Sequence, residues 1–482
     1  MRRPLLWASL IGCGILFIAS LFPSAVYGVC VAAVIFLFLL ILTPPFRRVR
    51  GEWLIALLLL TVLFLRACTT VQNLRIYQSA VGKTLTADLT VISSVYASTS
   101  TFKVRIRHAD GIPNGITLKL TDNEKRLSVG DRLTATVHLD SAKKDNTFSA
   151  LSDDFFGRAT LTEITARRSP SVFLQSAGKI RVYMERLLIY VLPPDESAIL
   201  SALALGDRSR IPSSLLTAIR RSGISHIFVV SGLHLSILVR NLLKFYRKVF
   251  RRPVFRVSAT LFTILLLCAV CGFGDSVLRA GFAFGFSVTA PLFRRESDPF
   301  NTLGLTVLLL LLLNPFSLFG VSFQLSVLSV LGILLMAPLI LEPLSKHPSP
   351  LCRVLLYQPI LTLCAMWMTT PVIISCFGEC SLVAPITNLL IASAVSVALL
   401  FTVIGGCLSI LPFLSFLAVP FLSTAGMLAR YLTEAALFFG NLPFAAVSVP
   451  KPFAILALIT VIGLLLFLLH RKKQMKNKNS VR

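Results

Sequence analysis

The amino-acid sequence predicts a polytopic α-helical membrane protein with a small external β-barrel (OB-like) domain near the N-terminus. Three observations predict this fold class. Hydrophobic residues make up 55% of the 482-residue chain and charged residues 14%, against about 25% charged residues in soluble proteins. Apolar runs of about 20 residues recur, a length that crosses about 30 Å of hydrocarbon. Between residues 76 and 170 these runs give way to short alternating segments.

The charge distribution fits a membrane protein. The formal net charge is +26, and the basic residues concentrate in short hydrophilic loops, as the positive-inside rule expects of cytoplasmic loops. A polyanionic partner is the alternative explanation of the positive charge. The net charge alone does not decide between the two explanations. The basic clusters are Arg2-Arg3, Arg47 to Arg50, Lys244 to Arg252, Arg294-Arg295 and the tail from Arg471.

Residues 1–75 are expected to hold the first transmembrane helices, near 5–22, 24–42 and 52–68. Arg2-Arg3 before an apolar run imitates a signal peptide. The apolar run continues to Phe22, which favours an uncleaved first helix. With the N-terminus in the cytoplasm, the three spans leave residues 76–170 outside.

Residues 76–170 form the predicted OB-like β domain. Alternating segments at 84–93, 101–107, 117–120, 132–139 and 158–165 are separated by turn signals such as Asp110-Gly111 and Val129-Gly130-Asp131. Five strands in under 100 residues predict a small barrel of the OB type, which often binds oligonucleotides or oligosaccharides. The domain contains no cysteine and therefore no disulfide.

Nucleic-acid binding by this domain has limited support in the sequence. Tyr96, Phe102, Phe155 and Phe156 are the aromatic residues that could stack on bases. Basic and acidic residues are nearly balanced here. A scaffold or docking role is therefore an equal alternative.

Residues 171–223 are predicted to form amphipathic and interfacial helices. The segment 171–192 shows helical periodicity with charged residues on one face, typical of a helix at a membrane surface. Two shorter helices follow: the first ends at Gly206, and the second begins near Pro212 and ends at Gly223.

Residues 224–470 hold the remaining predicted transmembrane helices. The first, 224–243, leads into the basic loop Lys244 to Arg252 and should run from outside to inside. The cytoplasmic tail is 471–482. The other predicted spans are 255–274, 277–293, 300–314, 321–341, 354–376, 382–409, 413–435 and 452–470.

Several polar side chains lie in or beside these spans. His226, Ser231 and His234 fall in one apolar segment, and ionisable groups there usually face a bundle interior or a watery path. A neutral histidine bonded to a backbone carbonyl is the alternative. Ser231 precedes Gly232, which permits close helix packing. The eight-residue separation of the histidines does not favour metal binding.

Charged side chains elsewhere have two interpretations each. Asp207 either caps a turn or orients Arg208 or Arg210 at a pore mouth. Arg279 either extends to the interface or lines an anion path. Gln324 would form hydrogen bonds between helices.

The order of the motifs resembles the ComEC family of competence membrane proteins over essentially the whole chain. The motifs are Leu205 to Ser209, Arg220 to His226, Val230 to His234, Ser276 to Gly281, Asn314-Pro315, Phe323 to Ser326 and Pro385 to Leu389. Residues 76–170 correspond in place to the external OB-like domain of that family. The resemblance implies an inner-membrane channel that passes one strand of transforming DNA into the cytoplasm during natural competence.

The resemblance also implies site residues and partners. Single-stranded DNA, membrane lipid, a membrane DNA receptor, a cytoplasmic ATPase and a second copy of the chain are the expected partners. Many members carry a metallo-β-lactamase-like domain, but no His-x-His-x-Asp-His cluster follows the last span here. We therefore expect no catalytic residue, metal or cofactor, and no enzyme activity. The candidate DNA-path residues are Asp207, Arg208, Arg210, Arg220, Arg221, His226, Ser231, His234, Arg279 and Gln324.

Two other functions remain open at this point. A transporter or flippase for another anionic polymer or a lipid-linked precursor would need similar cations. A membrane hydrolase using His226, Ser231 and His234 lacks a clear acidic partner, since acidic residues occur only near the ends of the spans.

Overall fold

The structure is a computed structural model. It describes residues 8–14, 16, 50–94, 101–122, 127–140, 155–168, 170–228, 232–293, 298–344 and 350–464. The predicted span 24–42 and the basic tail lie outside the described residues, as do most of the span 5–22, Tyr96, Ser231 and the pair Arg294-Arg295.

The described elements are mostly helices, interrupted once by a strand-rich segment. The strands are β1 (Thr84–Ser94), β2 (Thr101–Ala109), β3 (Thr117–Thr121), β4 (Arg132–Asp140), β5 (Gly157–Arg168), β6 (Glu379–Ser381) and β7 (Ala446–Ser448). The helices are α1 (Arg50–Ala80), α2 (Val172–Val191), α3 (Pro194–Leu205), α4 (Ser213–Arg221), α5 (Gly232–Val249), α6 (Pro253–Val270), α7 (Asp275–Thr289), α8 (Pro299–Leu313), α9 (Val321–Leu344), α10 (Pro350–Phe377), α11 (Ala384–Ser409), α12 (Ser415–Gly440) and α13 (Phe453–Leu464).

The chain divides into two compact units that interleave in sequence. The first unit comprises Met1–Tyr183 and Val239–Gly320, and the second comprises Met184–Leu238 and Val321–Arg482. The β-rich segment lies wholly in the first unit.

Six helices are long and apolar enough to cross a membrane, counted over the described residues. The protein is therefore a multi-pass membrane protein. The six segments are Pro253–Val270, Ser276–Phe293, Val321–Leu341, Leu356–Phe377, Ala384–Ser409 and Pro412–Gly440. The helices Pro299–Leu313 and Phe453–Leu464 are also apolar but shorter.

The predicted span 224–243 differs from the structure. Residues 224–228 form turns, and α5 is described from Gly232 to Val249. The second half of α5 carries Lys244, Arg247 and Lys248, so the helix as a whole is too charged to belong to the six candidate spans. Hydropathy predicts a span over 224–243 because it measures only apolar content. It cannot detect the turn at 224–228.

The five strands of the first unit form one closed sheet. Strand β1 pairs with both β2 and β4, β2 pairs with β3, and β5 joins β3 to β4, which gives the order β1-β2-β3-β5-β4. Only the β3–β5 pair is parallel. All five predicted strands are present. Strand β5 extends furthest beyond its prediction, from Gly157 to Arg168.

Alternate residues of these strands fill the interior. On β2, the buried residues Phe102, Val104 and Ile106 alternate with outward-facing polar side chains, as the two-residue period of a strand requires. The interpretation of Phe102 as a base-stacking aromatic is therefore wrong, since its ring belongs to the core.

Helix α1 continues past the predicted end of its span and enters this core. Tyr77 is fully buried, and its hydroxyl lies 3.3 Å from the carbonyl oxygen of Asp140 and 3.2 Å from that of Arg158. A Cβ at Gly157 would overlap the Tyr77 ring. The absence of a side chain at Gly157 therefore leaves room for the Tyr77 ring. Tyr77 in turn anchors α1 to the sheet.

The second unit is a helical bundle with its own core. Buried residues of α3, α4, α11 and α12 form one cluster, which includes Ile199, Ile219, Ile391 and Leu422. Helix α10 contains two internal prolines, Pro359 and Pro371, and the short strands β6 and β7 pair beyond the ends of α10 and α12.

Candidate functional site

The candidate site is built on the turn between α3 and α4. Gly206 ends α3 in the left-handed conformation, with φ of 76°, and the next residue, Asp207, is buried. Its Oδ1 accepts a hydrogen bond of 2.9 Å from the backbone N–H of Ser209. Asp207 therefore closes the turn, and this turn places the two arginines that follow.

Arg208 and Arg210 are both held by other segments of the second unit. The Nε of Arg208 donates to the carbonyl oxygen of Phe228 over 2.8 Å, and burial lowers the pKa of this guanidinium. Arg210 donates from Nη2 to the Ser197 hydroxyl over 2.8 Å, whereas its Nη1 is buried and has no hydrogen-bond partner among the described residues. Both side chains stay charged, because arginine does not lose its proton in proteins.

Arg220 and Arg221 form the last turn of α4, where cations interact favourably with the helix dipole. The Arg220 guanidinium lies 5.9 Å from the centre of the Phe377 ring. Arg221 Nη2 lies 3.5 Å from the carbonyl oxygen of Leu442. These two cations thus lie beside the end of α10 and the segment that follows α12.

The turn after α4 packs tightly on α11. Gly223 has φ of 78°, and a Cβ there would overlap the Cβ of Ala384. Both the backbone conformation and the lack of space require glycine. The segment 224–228, which supplies the carbonyl that binds Arg208, is fixed by this contact.

The two histidines of the predicted span have different environments. His226 is exposed. His234, on the first turn of α5, is 1% exposed, and neither of its ring nitrogens has a hydrogen-bond partner within the described part of the chain. The backbone of Leu203 lies near the ring without a bond of ordinary geometry. The Leu203 backbone is therefore at most a weak hydrogen-bond partner of His234.

Two further buried polar atoms in this unit have no partner among the described residues. They are the hydroxyl of Ser201 and Oδ1 of Asn388. Asn388 belongs to a motif noted in the sequence, whereas Ser201 is one serine in an apolar helix and gives no signal of its own.

The remaining candidates lie elsewhere. Gln324 is half-buried near the start of α9, and Arg279 is half-buried on α7 in the first unit. Within the described ranges, no three His, Cys, Asp or Glu side chains gather in a way that could hold a metal ion.

Comparison with known proteins defines the class of protein to which this fold and site belong. Residues 203–474 match the family model described as Competence protein. That match covers more than half of the chain, so the protein belongs to the competence protein family. The resemblance indicated by the motifs is confirmed.

The chain is also similar to ComE operon protein 3 of Bacillus subtilis (strain 168). The two are 25% identical over 318 residues, which cover 65% of this chain and 39% of that protein. The chain thus spans well under half of the relative's length. No solved structure matches the chain.

Proposed function

We propose that this protein forms the channel through which single-stranded transforming DNA crosses the cytoplasmic membrane. Membership of the competence protein family supports a role in DNA uptake, and the candidate spans supply the membrane-embedded body. The observation that carries the proposal is the set of unpartnered buried polar atoms at His234 and Arg210 in a helical bundle. In a membrane protein, buried polar groups of this kind are candidates for a substrate or ion pathway.

The arginines suit a passage for a phosphate backbone. A conducting path needs contacts that attract the substrate and still release it. Arg208 uses Nε for the Phe228 carbonyl, which fixes the guanidinium while its terminal nitrogens can reach a phosphate. Several spaced cations of this kind favour the phosphate groups of any sequence equally.

The β domain supplies a second contact surface under this proposal. Phe155 lies beside two lysines, with Lys103 Nζ at 5.1 Å and Lys119 Nζ at 4.3 Å from the ring centre. An aromatic ring flanked by cations is the combination that binds single strands through base stacking and phosphate contacts. We assign the closed five-stranded sheet to the OB type and place its β2–β3 face toward the DNA.

The proposed orientation places both termini in the cytoplasm and residues 76–170 outside. The β domain then meets DNA delivered by a membrane receptor, and a cytoplasmic ATPase acts at the other side. The proposal assigns no catalytic chemistry to this chain. It does not require a second copy of the chain.

The test is complementation of a deletion strain of a naturally transformable host, with labelled DNA followed across the membrane. We expect His234→Ala and Arg279→Ala to lower DNA entry and transformation at least tenfold, with normal membrane insertion. The matched controls are His138→Ala, on the β domain, and Arg430→Ala, an exposed arginine of α12, and both should transform normally. Normal transformation by both test variants would remove these residues from the path. Uptake in the deletion strain itself would instead favour transport of another anionic polymer or a lipid-linked precursor.

A further inference from the structure

An arginine-lined cleft lies on the surface of the β domain and shares strand β2 with the aromatic surface around Phe155. Its volume is about 250 Å³. Four strands contribute to it, and the register explains how they meet: Asp88 is the partner of Thr134, and Arg132 is the partner of both Thr90 and Arg168. The lining residues are Asp88, Leu89, Arg107, Arg132, Leu133 and Arg168.

The residues that line the cleft carry an excess of positive charge, with three arginines and one aspartate. Asp88 is its single carboxylate; Oδ2 lies 3.0 Å from Nη2 of Arg168, and Oδ1 accepts a bond of 2.6 Å from the hydroxyl of Thr134. Arg107 donates from Nε to the Thr90 hydroxyl over 2.8 Å. The Nε of Arg132 is buried and has no hydrogen-bond partner within the described residues. Three guanidinium groups therefore line a cleft whose one carboxylate pairs with Arg168, and one donor is unsatisfied.

We propose that this arginine cleft binds a phosphate group of the incoming single strand. Guanidinium groups form paired hydrogen bonds with phosphate oxygens, and an unsatisfied buried donor gains most from such a ligand. The cleft, with a volume of about 250 Å³, is large enough to hold a phosphate group. This inference rests on the proposed function, because it takes the substrate to be a DNA strand.

The neighbouring surface favours a strand over other phosphate sources. Arg107 shares the outward face of β2 with Arg105 and with Lys103, the lysine beside Phe155. Lys103 and Arg107 are four residues apart, about 13 Å along a strand. The cleft therefore continues the basic face that carries the aromatic ring, so one extended backbone can reach both.

Asp88 has a defined role in this proposal. Its carboxylate competes with the phosphate for Arg168, so it weakens binding and keeps the site from holding the strand too tightly. Replacing Asp88 by Asn should strengthen DNA binding.

The experiment uses the full chain in lipid nanodiscs and a fluorescent oligothymidylate as the probe. Binding is measured over a range of salt concentrations for the wild type, Arg132→Gln, Asp88→Asn and Lys83→Gln. Lys83 is the matched control, since it is an exposed cation in the turn before β1 that bonds to Leu139, at the opposite end of β4 from Arg132. Thermal unfolding of each variant checks that the β domain remains folded.

We expect Arg132→Gln to weaken binding and to lower the slope of log K against log salt by about 0.7, the value for one lost single-strand phosphate contact. Asp88→Asn should bind more tightly than the wild type, and Lys83→Gln should keep the wild-type slope. Equal slopes for Arg132→Gln and Lys83→Gln would overturn the proposal.

A second arm separates the two phosphate sources. Water-soluble phosphatidylglycerol is titrated against the wild type and Arg132→Gln. Lipid binding that depends on Arg132, together with oligonucleotide binding that does not, would make the cleft a lipid headgroup site and overturn the strand assignment.

The outcomes also distinguish this proposal from the channel proposal. If oligothymidylate binding depends on Arg132 but the deletion strain still takes up DNA, the phosphate site is supported and the channel proposal is wrong. If oligothymidylate binding does not depend on Arg132 but deletion abolishes uptake, the channel is supported and the phosphate-site proposal is wrong.

Discussion

At the scale of single residues, His234 and Arg210 bury polar atoms that have no hydrogen bond of ordinary geometry among the described residues: both ring nitrogens of His234 and Nη1 of Arg210. Leaving a buried donor or acceptor without a partner costs about 1–3 kcal/mol. Substituting an apolar side chain would remove that cost. We infer that these two polar groups are present for a ligand or for water in the path, because their stability contribution alone does not explain them.

Tyr77 provides a residue-scale prediction that depends on pH. Burial and, to a lesser extent, the carboxylate of Asp140 raise the pKa of its phenol to about 12, from about 10 in the unfolded chain. Below about pH 9 both states keep the proton, and the stabilisation is complete. As the pH rises from about 10 to about 12, only the unfolded state releases the proton, so we expect a loss of about 2–3 kcal/mol.

The variant Tyr77→Phe lacks this ionisation. Its stability, relative to the wild type, should therefore improve between about pH 9 and about pH 11. Thermal unfolding of the wild type and the variant, at each of these two pH values, measures this difference in stability. A phenolate difference spectrum of wild type minus variant that titrates near 10 would contradict the prediction.

The sequence identified which residues are charged but not what they contact. Arg208 and Arg210 were predicted from a polar motif in an apolar region. Their acceptors, the Phe228 carbonyl and the Ser197 hydroxyl, lie 20 and 13 residues away, and no local pattern indicates such contacts. The aromatic surface around Phe155 was equally hidden, because the two lysines beside it come from different strands.

At the scale of elements, the strands were easier to predict than the helix boundaries. A two-residue alternation is a direct signal of a strand with one buried face. The end of α1 was placed at residue 68 because hydropathy falls there, yet the helix continues to Ala80 by packing Tyr77 into the β domain. The predicted start of a span at residue 224 is wrong, because residues 224–228 form turns although the segment around them is largely apolar.

Helices α9 and α10 give an element-scale prediction. A Cβ at Gly332 would lie 2.5 Å from the carbonyl oxygen of Cys364 on α10, so the helix backbones approach closely at a small residue, as is common in membranes. We expect Gly332→Leu to separate the helices and to destabilise the protein by about 1–3 kcal/mol. The measurement is the labelling rate of the buried Cys364 thiol by a maleimide during heating.

Gly463 on α13 is the matched control, since a Cβ at this position would have nothing within 4 Å among the described residues. The variant Gly463→Leu should leave Cys364 as protected as in the wild type. Equal labelling rates in the two variants would show that the close approach at Gly332 does not hold the helices together.

At the scale of the whole molecule, composition predicted the membrane class and the position of the β domain. It did not indicate that the chain forms two interleaved units, because their boundaries, such as Tyr183/Met184 and Gly320/Val321, fall within or beside helices with no change in composition. Contacts between distant segments set this division.

The orientation of the chain provides a whole-molecule prediction. In a variant without native cysteines, we expect a cysteine at Asn114, in an exposed turn of the β domain, to react with a membrane-impermeant maleimide in intact cells. A cysteine at Lys248, an exposed residue near the end of α5, should react only after the membrane is opened. The reverse pattern would invert the proposed topology.

The two prolines inside α10 have a mechanical consequence. Proline donates no backbone hydrogen bond and clashes with the carbonyl four residues earlier, so Pro371 leaves the carbonyl of Trp367 without its helical donor. Sharp helix bends occur at such positions. The two prolines, twelve residues apart, therefore mark the two places in α10 where bending costs the fewest backbone hydrogen bonds.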